Sequence, residues 1–130
     1  MTPSSLVEAL NLVRDDVGKL LATAPELLGW SSPPNDNGVY MLLVDGSVMY
    51  VGEAKGREGL RDRLLSKHIS GDDGHAIQRA YKLEFPDRYL RREHIKKTVY
   101  ARWLQIADPA RVSAVERVLI WLYNPPLNKT

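Results

Sequence analysis

The chain has 130 residues, of which 44% are apolar, and this favours one globular domain with a core over a disordered chain or two ordinary domains. It has no cysteine, which excludes disulfides and thiolate zinc sites and fits a reducing cytoplasm. No stretch approaches the roughly 20 apolar residues that cross a bilayer. The first residues lack the basic start and apolar run of a secretory signal. We therefore expect a cytoplasmic protein that has no membrane partner.

The charge is unevenly distributed, although its net value is only +2. Residues 1–49 hold two basic and six acidic side chains, whereas residues 50–102 hold thirteen basic and eight acidic ones. A basic middle segment could face the phosphates of a nucleic acid. It could equally be a solvated, salt-bridged surface, and charge alone slightly favours that second interpretation.

The chain begins with a predicted amphipathic helix over about residues 5–23, with Ser4 or Ser5 as its N-cap. Its apolar stripe recurs at spacings of three and four residues and consists of Leu6, Leu10, Val13, Val17 and Leu20. This helix could pack on the domain or form a homodimer interface. A loop follows over residues 31–37, where serine, proline, asparagine and aspartate dominate.

The next segment predicts a β-hairpin with strands at about 38–44 and 47–52. The two strands are joined by Asp45-Gly46, and such a pair between apolar runs indicates a tight turn because both positions need a positive φ. We expect this pairing to bring Tyr40 and Tyr50 near one another on neighbouring strands.

The rest of the chain alternates helices with one more strand. We expect a helix from near Gly59, helical segments around 75–81 and 87–95, a third strand over 98–106, and a last helix that begins at Asp108-Pro109. The fold class is therefore α+β, with a small three-stranded sheet that contains the hairpin, helices that flank it and an extra N-terminal helix. We divide the chain into this helix and linker, residues 1–36, and the main domain, residues 37–130.

Five short motifs in this order resemble those of the GIY-YIG nuclease superfamily. The triplets Gly38-Val39-Tyr40 and Tyr50-Val51-Gly52 correspond to the two that name the superfamily. The run Leu60-Arg61-Asp62-Arg63-Leu64 is similar to the start of its first helix, with Arg63 as the matching arginine and Arg61 as the alternative. Glu116 matches its metal-binding glutamate. Asn128, twelve residues later in Pro125-Pro126-Leu127-Asn128, matches its closing asparagine.

The resemblance implies a DNA endonuclease, and the chemistry of the residues agrees with that. Glu116 is a hard oxygen ligand suited to Mg²⁺ or Mn²⁺, which keep several waters and need few protein carboxylates. Arg63 would grip the scissile phosphate, because a guanidinium is always charged and forks onto phosphate oxygens. Tyr40 and Tyr50 could orient the attacking water or take its proton.

Further residues are candidates by position. His68 lies five residues after Arg63, whereas the helper histidine or tyrosine of the superfamily lies four after, and His75 is an alternative. The candidate substrate-binding residues are Gly52, Lys55, Arg61, Lys67 and Asn128. Glu53 directly follows the second triplet, where some relatives have lysine, and it could repel phosphate or pair with Arg61 or Arg63.

The sequence thus predicts a metal-dependent endonuclease that acts on DNA in repair or restriction, with catalysis by Tyr40, Tyr50, Arg63, His68 and Glu116 and with metal bound at Glu116. One alternative is a non-catalytic nucleic-acid-binding module that has the same fold. Another is a protein-interaction domain that uses the N-terminal helix.

Overall fold

The structure is a computed structural model that describes residues 2–69 and 75–128. Its helices are α1 (Leu6–Ala22), α2 (Gly59–Arg61), α3 (Ala76–Tyr81), α4 (Arg88–Thr98) and α5 (Pro109–Tyr123). Its strands are β1 (Glu26–Leu27), β2 (Gly38–Val44), β3 (Ser47–Ala54) and β4 (Tyr100–Gln105). A π-helical segment, Asp62–Ile69, continues α2, and short 3₁₀ turns lie at Leu28–Trp30 and Pro126–Asn128.

The predicted hairpin is present, and it contains a β-bulge. Asp45 and Gly46 both have positive φ, 51° and 78°, as a two-residue hairpin turn requires. Past the turn the register shifts, because Leu43 pairs with Val48 but Leu42 pairs with Tyr50, so that Met49 is an extra residue in β3.

This bulge decides which face Tyr50 joins. A regular ladder continued from the turn would place Tyr40 opposite Val51 and Tyr50 on the other face of the sheet, because side chains alternate along a strand. With the bulge, Tyr40 lies opposite Gly52 and Tyr50 lies opposite Leu42, so both tyrosines point to the same face.

The sheet has four strands in the order β1-β4-β2-β3, all antiparallel, and so the expected number of three is wrong. The additional strand, β1, is only two residues long and pairs with Ala101 and Tyr100 of β4. Such a short strand follows Pro25 and has no alternation pattern that a sequence could reveal. It lies within residues 1–36, the expected helix and linker, and Leu28 beside it is fully buried.

Two apolar cores cover the two faces of the sheet. The first lies under α2, the π-helical segment, α3 and α4, and it contains Tyr40, Leu42, Leu60, Leu64 and Ile95. The second lies under α1 and α5, and it contains Leu20, Val39, Met41, Val51, Val112, Val115 and Leu119. The strand order leaves β3 at one edge, so side chains from both layers can meet beside it. Among the described helices, none is long and apolar enough to cross a membrane.

Candidate active site

Tyr40, Tyr50 and His68 form a cluster on the first face of the sheet. The Tyr40 Oη and His68 Nε2 share a hydrogen bond of 2.7 Å. The ring centroid of Tyr50 lies 6.1 Å from that of Tyr40 and 5.3 Å from that of His68. Tyr40 and His68 are 1% and 3% exposed, so the bond between them is shielded from solvent. The two tyrosines are therefore near one another, as expected, but through the bulge in β3 rather than through the regular pairing of the hairpin, and a histidine joins them.

The π-helical segment explains why His68 reaches this cluster from five residues after Arg63. A π-helix closes its backbone rings between residues five apart instead of four, so each turn holds more residues than a turn of α-helix. In this segment, Asp62–Ile69, Arg63 and His68 consequently both face the same pocket. The apolar residues of this segment show the same five-residue spacing, since Leu64 and Ile69 lie five apart and are both buried.

The pocket has a volume of about 220 Å³ and a strongly polar lining. Arg63 lies in it, as expected, whereas Arg61 lines a different cavity beside Asn35, Glu58 and Ser66. His75 and Arg79, on the same side of α3, also line the pocket. Arg79 was not anticipated from the sequence. The spacing of four between His75 and Arg79, just after a Gly-rich break, is the signal that could have identified it.

Burial fixes the protonation of the cluster at neutral pH. It is the largest cause that raises the pKa of the Tyr40 phenol well above its usual value, and it also raises the pKa of Tyr50. It lowers the pKa of His68 to about 3, with smaller contributions from the charges of His75 and Arg63. Tyr40 is thus a neutral phenol bonded to a neutral imidazole, and the nearby Arg63 charge favours ionisation of both phenols.

Glu116 approaches the cluster from α5, on the other layer. It does not line the pocket, but its charge raises the pKa of both Tyr40 and Tyr50, so it lies within electrostatic range of them. Its own pKa is raised to about 7, first by burial and then by the charge of Glu53, against smaller opposing effects of Arg117 and Lys55.

Glu53 is held beside α5 by a small polar network. Its Oε2 accepts a 3.0 Å hydrogen bond from the Ser113 Oγ, and its Oε1 lies 3.3 Å from the Lys55 Nζ. Lys55 also donates to Ser113, which is one helical turn before Glu116. Glu53 therefore pairs with Lys55 in this structure rather than with Arg61 or Arg63. Lys55, expected to bind substrate, is engaged with β3 and α5.

The donor set at α5 fits a divalent cation such as Mg²⁺ or Mn²⁺. Glu116 supplies a half-buried carboxylate, and a second carboxylate, Glu53, lies next to it. Within residues 2–69 and 75–128, no three side chains of His, Cys, Asp or Glu form a group that could hold a metal ion. One or two carboxylates are enough for an ion that keeps most of its water ligands.

The two triplet glycines are explained by packing. A Cβ at position 52 would overlap the ring of Tyr40, and a Cβ at position 38 would overlap the Leu104 carbonyl. The bare Cα of Gly52 is thus covered by Tyr40 itself, instead of leaving room for a substrate as its expected binding role required.

Asn128 binds the outer edge of β3 next to the pocket that it also lines. Its Oδ1 accepts from the Val51 N–H at 2.8 Å, and its Nδ2 donates to the Val51 carbonyl at 2.8 Å. Its side chain thus ties the chain's C-terminal turn to the strand that carries Tyr50. Lys67 lies in the π-helical segment, and its side chain is outside the described part of the structure.

No protein-family model matches the chain, and no curated protein matches it in sequence. Solved structures do match in shape. A point mutant of the GIY-YIG N-terminal endonuclease domain of UvrC from Thermotoga maritima, bound to its catalytic divalent cation, aligns with a TM-score of 0.50 at 18% identity, covering 92% of this chain and 97% of that one. The magnesium-bound form of that domain gives 0.46 at 20% identity, covering 90% and 96%. A mutant of bacteriophage T4 EndoII gives 0.48 at 18% identity, covering 88% and 96%.

At this level of identity the likeness concerns the backbone, and of these three structures the UvrC point mutant has the highest TM-score, 0.50. It covers 92% of this chain and 97% of that chain. The chain therefore has a GIY-YIG-like fold.

Proposed function

We propose that this protein is a divalent-metal-dependent endonuclease that hydrolyses DNA phosphodiester bonds. The observation that carries the proposal is the convergence of Tyr40, Tyr50, His68 and Arg63 on one pocket, within electrostatic range of Glu116. The UvrC domain of the same fold is described as an endonuclease domain bound to a catalytic divalent cation, which supports the same class of activity here.

The pocket would bind the scissile phosphate through its guanidinium groups. Arg63 and Arg79 come from two different elements and face one cavity, so both could contact non-bridging oxygens with charge-assisted hydrogen bonds. The basic middle segment would hold the flanking DNA backbone, and we expect affinity for DNA to fall steeply with salt.

Tyr40 and His68 would handle the proton of the attacking water. A neutral phenol is a poor base, and an imidazole with a pKa of about 3 is a weak acceptor for the phenolic proton. Tyr40 could take the proton of the water as a phenolate, a form that the charge of Arg63 and a bound cation favour and that His68 would stabilise by donating from Nε2. Tyr50, against both rings, would orient the water.

Glu116 would hold Mg²⁺ or Mn²⁺, with Glu53 as the carboxylate next to it. When bound, such an ion neutralises charge on the phosphoryl group and makes water a better nucleophile. Asn128 would keep the edge of β3 in place beside this centre.

The test is cleavage of plasmid, branched and single-stranded DNA with Mg²⁺ or Mn²⁺. We expect wild type to cut and Glu116→Gln to lose cutting, while Glu93→Gln, which changes a surface carboxylate on α4, retains it. We expect Arg63→Ala to lose cutting and Arg61→Ala to retain it, since Arg63 lines this pocket and Arg61 lines another cavity. No cutting by wild type on any substrate, or equal cutting by Glu116→Gln, would overturn the proposal.

One observation favours a second candidate, a nucleic-acid-binding module without catalysis. With its pKa raised to about 7, Glu116 is only about half ionised at neutral pH, so it competes poorly for a metal. DNA binding that persists in EDTA, with no cleavage even at pH 8, would support this candidate over the nuclease.

We also propose that α1 mediates a homodimer. In its N-terminal half, Leu6 and Leu10 belong to the apolar stripe but are 73% and 60% exposed, and Val7 beside them is 69% exposed. Sedimentation should show a dimer for the wild type and a monomer for the Leu6→Ser/Leu10→Ser double variant. A wild-type monomer at high concentration would contradict this. We also propose that the protein acts in the cytoplasm, since a chain without cysteine fits a reducing compartment, and that its role lies in DNA repair or restriction.

A further inference from the structure

Gln78 and Arg91 form a buried polar pair behind the active-site histidine. Gln78, on α3, and Arg91, on α4, are 0% and 1% exposed. The Arg91 Nε donates to the Gln78 Oε1 at 2.7 Å. Its Nη1 donates to the backbone carbonyls of Phe85 and Pro86 at 3.1 Å and 3.4 Å. A buried arginine is costly unless its donors are satisfied, so this pair calls for an explanation.

The amide nitrogen of Gln78 binds the backbone at His68 itself. The Gln78 Nε2 donates to the carbonyl of His68 at 3.0 Å and to that of Ile69 at 2.7 Å. These residues end the π-helical segment, and the last carbonyls of a helix lack partners within the helix. Both amide protons of Gln78 are therefore used on the two carbonyls that fix where the helix stops and where the His68 ring points.

Arg91 determines which way round the Gln78 amide lies. An amide can be turned over so that its oxygen and nitrogen change places, and only one orientation satisfies its surroundings. With the Arg91 N–H on one side, the oxygen must face Arg91 and the nitrogen must face His68. Buried hydrogen bonds thus run from Arg91 through Gln78 to the backbone carbonyl of His68, whose ring in turn shares a hydrogen bond with Tyr40.

We propose that Gln78 and Arg91 are positioning residues, which hold the His68 ring where its Nε2 shares a hydrogen bond with the Tyr40 phenol. Their contribution to turnover rests on the proposed nuclease function, whereas their effect on the His68 ring does not. Neither residue touches the substrate pocket through its own polar atoms. They act by setting the backbone at His68, and a displacement of about 1 Å in such a group can cost roughly 10²-fold in rate.

The experiment uses the full chain and three variants. Gln78→Met keeps the side-chain length and removes both donors. Gln78→Glu keeps an acceptor for Arg91 but has no donor for the carbonyls of His68 and Ile69, and it serves if Gln78→Met does not fold. Val112→Ala is the matched control, because it weakens the second core, on the opposite face of the sheet from His68.

Each Gln78 variant is compared with Val112→Ala in two readouts, and the comparison allows for how far each variant lowers the Tm. The first is the ¹⁵N and ¹H NMR signals of the His68 ring, without metal or DNA. The second is kcat and KM for DNA cleavage. We expect both Gln78 variants to shift the His68 signals and lower kcat by roughly 10²-fold with KM little changed, while Val112→Ala alters neither.

Unchanged His68 signals in a folded Gln78 variant would overturn the proposal, and so would the same shift in Val112→Ala. If the wild type does not cleave DNA, the proposed function fails, but the His68 signals still decide whether Gln78 positions the ring. The two failures are therefore distinguishable.

Discussion

Replacing Glu53 by glutamine should change how metal binding depends on pH. Glu116 must be ionised to bind a cation, and the negative charge of Glu53 is the second-largest cause that raises its pKa to about 7. A group with that pKa is ~9% ionised at pH 6 and ~91% ionised at pH 8. The wild-type protein should therefore bind Mn²⁺ about tenfold more tightly at pH 8 than at pH 6.

Glu53→Gln removes the charge and leaves the burial of Glu116, so the pKa of Glu116 should fall while staying above its usual value. More of Glu116 is then ionised at pH 6, and the ratio of affinities between pH 8 and pH 6 should be clearly smaller than in the wild type. The ratio is the informative quantity, since Glu53 could itself supply an oxygen to the ion and so change the absolute affinity.

Isothermal titration with Mn²⁺ at pH 6, 7 and 8, without DNA, measures these affinities. Glu93→Gln is the control, because Glu93 pairs with Lys96 on the surface of α4, and it should keep the wild-type ratio. The reasoning is refuted if wild-type affinity is the same at pH 6 and pH 8, or if Glu53→Gln retains the full tenfold ratio.

Three other changes test the geometry of the site. Burial lowers the pKa of His68 in the folded state to about 3 from its usual 6.5, so its contribution to stability is present above pH 6.5 and is lost as the pH falls toward 3. The difference in Tm between pH 7 and pH 4 should therefore be smaller in His68→Phe than in the wild type. Gly52→Ala should destabilise the fold by about 1–3 kcal/mol in urea denaturation, since its Cβ would overlap the Tyr40 ring; a neutral result would mean that the ring moves aside freely. Deleting Met49, the extra residue of the bulge, should retain cleavage, because Tyr50 then follows Val48 directly and stays opposite Leu42 on the same face. Deleting Val48 and Met49 together should abolish cleavage, because Tyr50 then pairs with Leu43 and turns to the other face. An inactive single-deletion variant would contradict the assigned register.

Much of the fold could be predicted from local signals. The Asp45-Gly46 turn, the apolar stripe of α1 and the Asp108-Pro109 start of α5 each act within a few residues, and each element lies where it was expected. The Asp108 side chain caps α5 by accepting from the Ala110 N–H at 3.0 Å. The two-residue strand β1 could not be predicted, because its place depends on a distant partner, β4.

The sequence indicated which residue types form the candidate site, but not the irregular backbone that brings them to one face. The motifs indicated Tyr40, Tyr50, Arg63 and Glu116, yet the pairing implied by a two-residue turn puts the tyrosines on opposite faces. An additional residue in β3 and a π-helix after α2 correct the positions of Tyr50 and His68. Both irregularities depend on tertiary packing. The same is true of Gln78 and Arg91, whose roles exist only once α3 and α4 are in place.

The outermost strand of the sheet lies beside the candidate site, and an open strand edge invites unwanted pairing with another chain. Here the Asn128 amide occupies the N–H and carbonyl of Val51 as a neighbouring strand would. Along the rest of this edge, pairing with another extended strand is disfavoured by the charges of Glu53 and Lys55 and by the bulge at Met49. This edge of the sheet therefore resists pairing with another chain and self-association into aggregates through it.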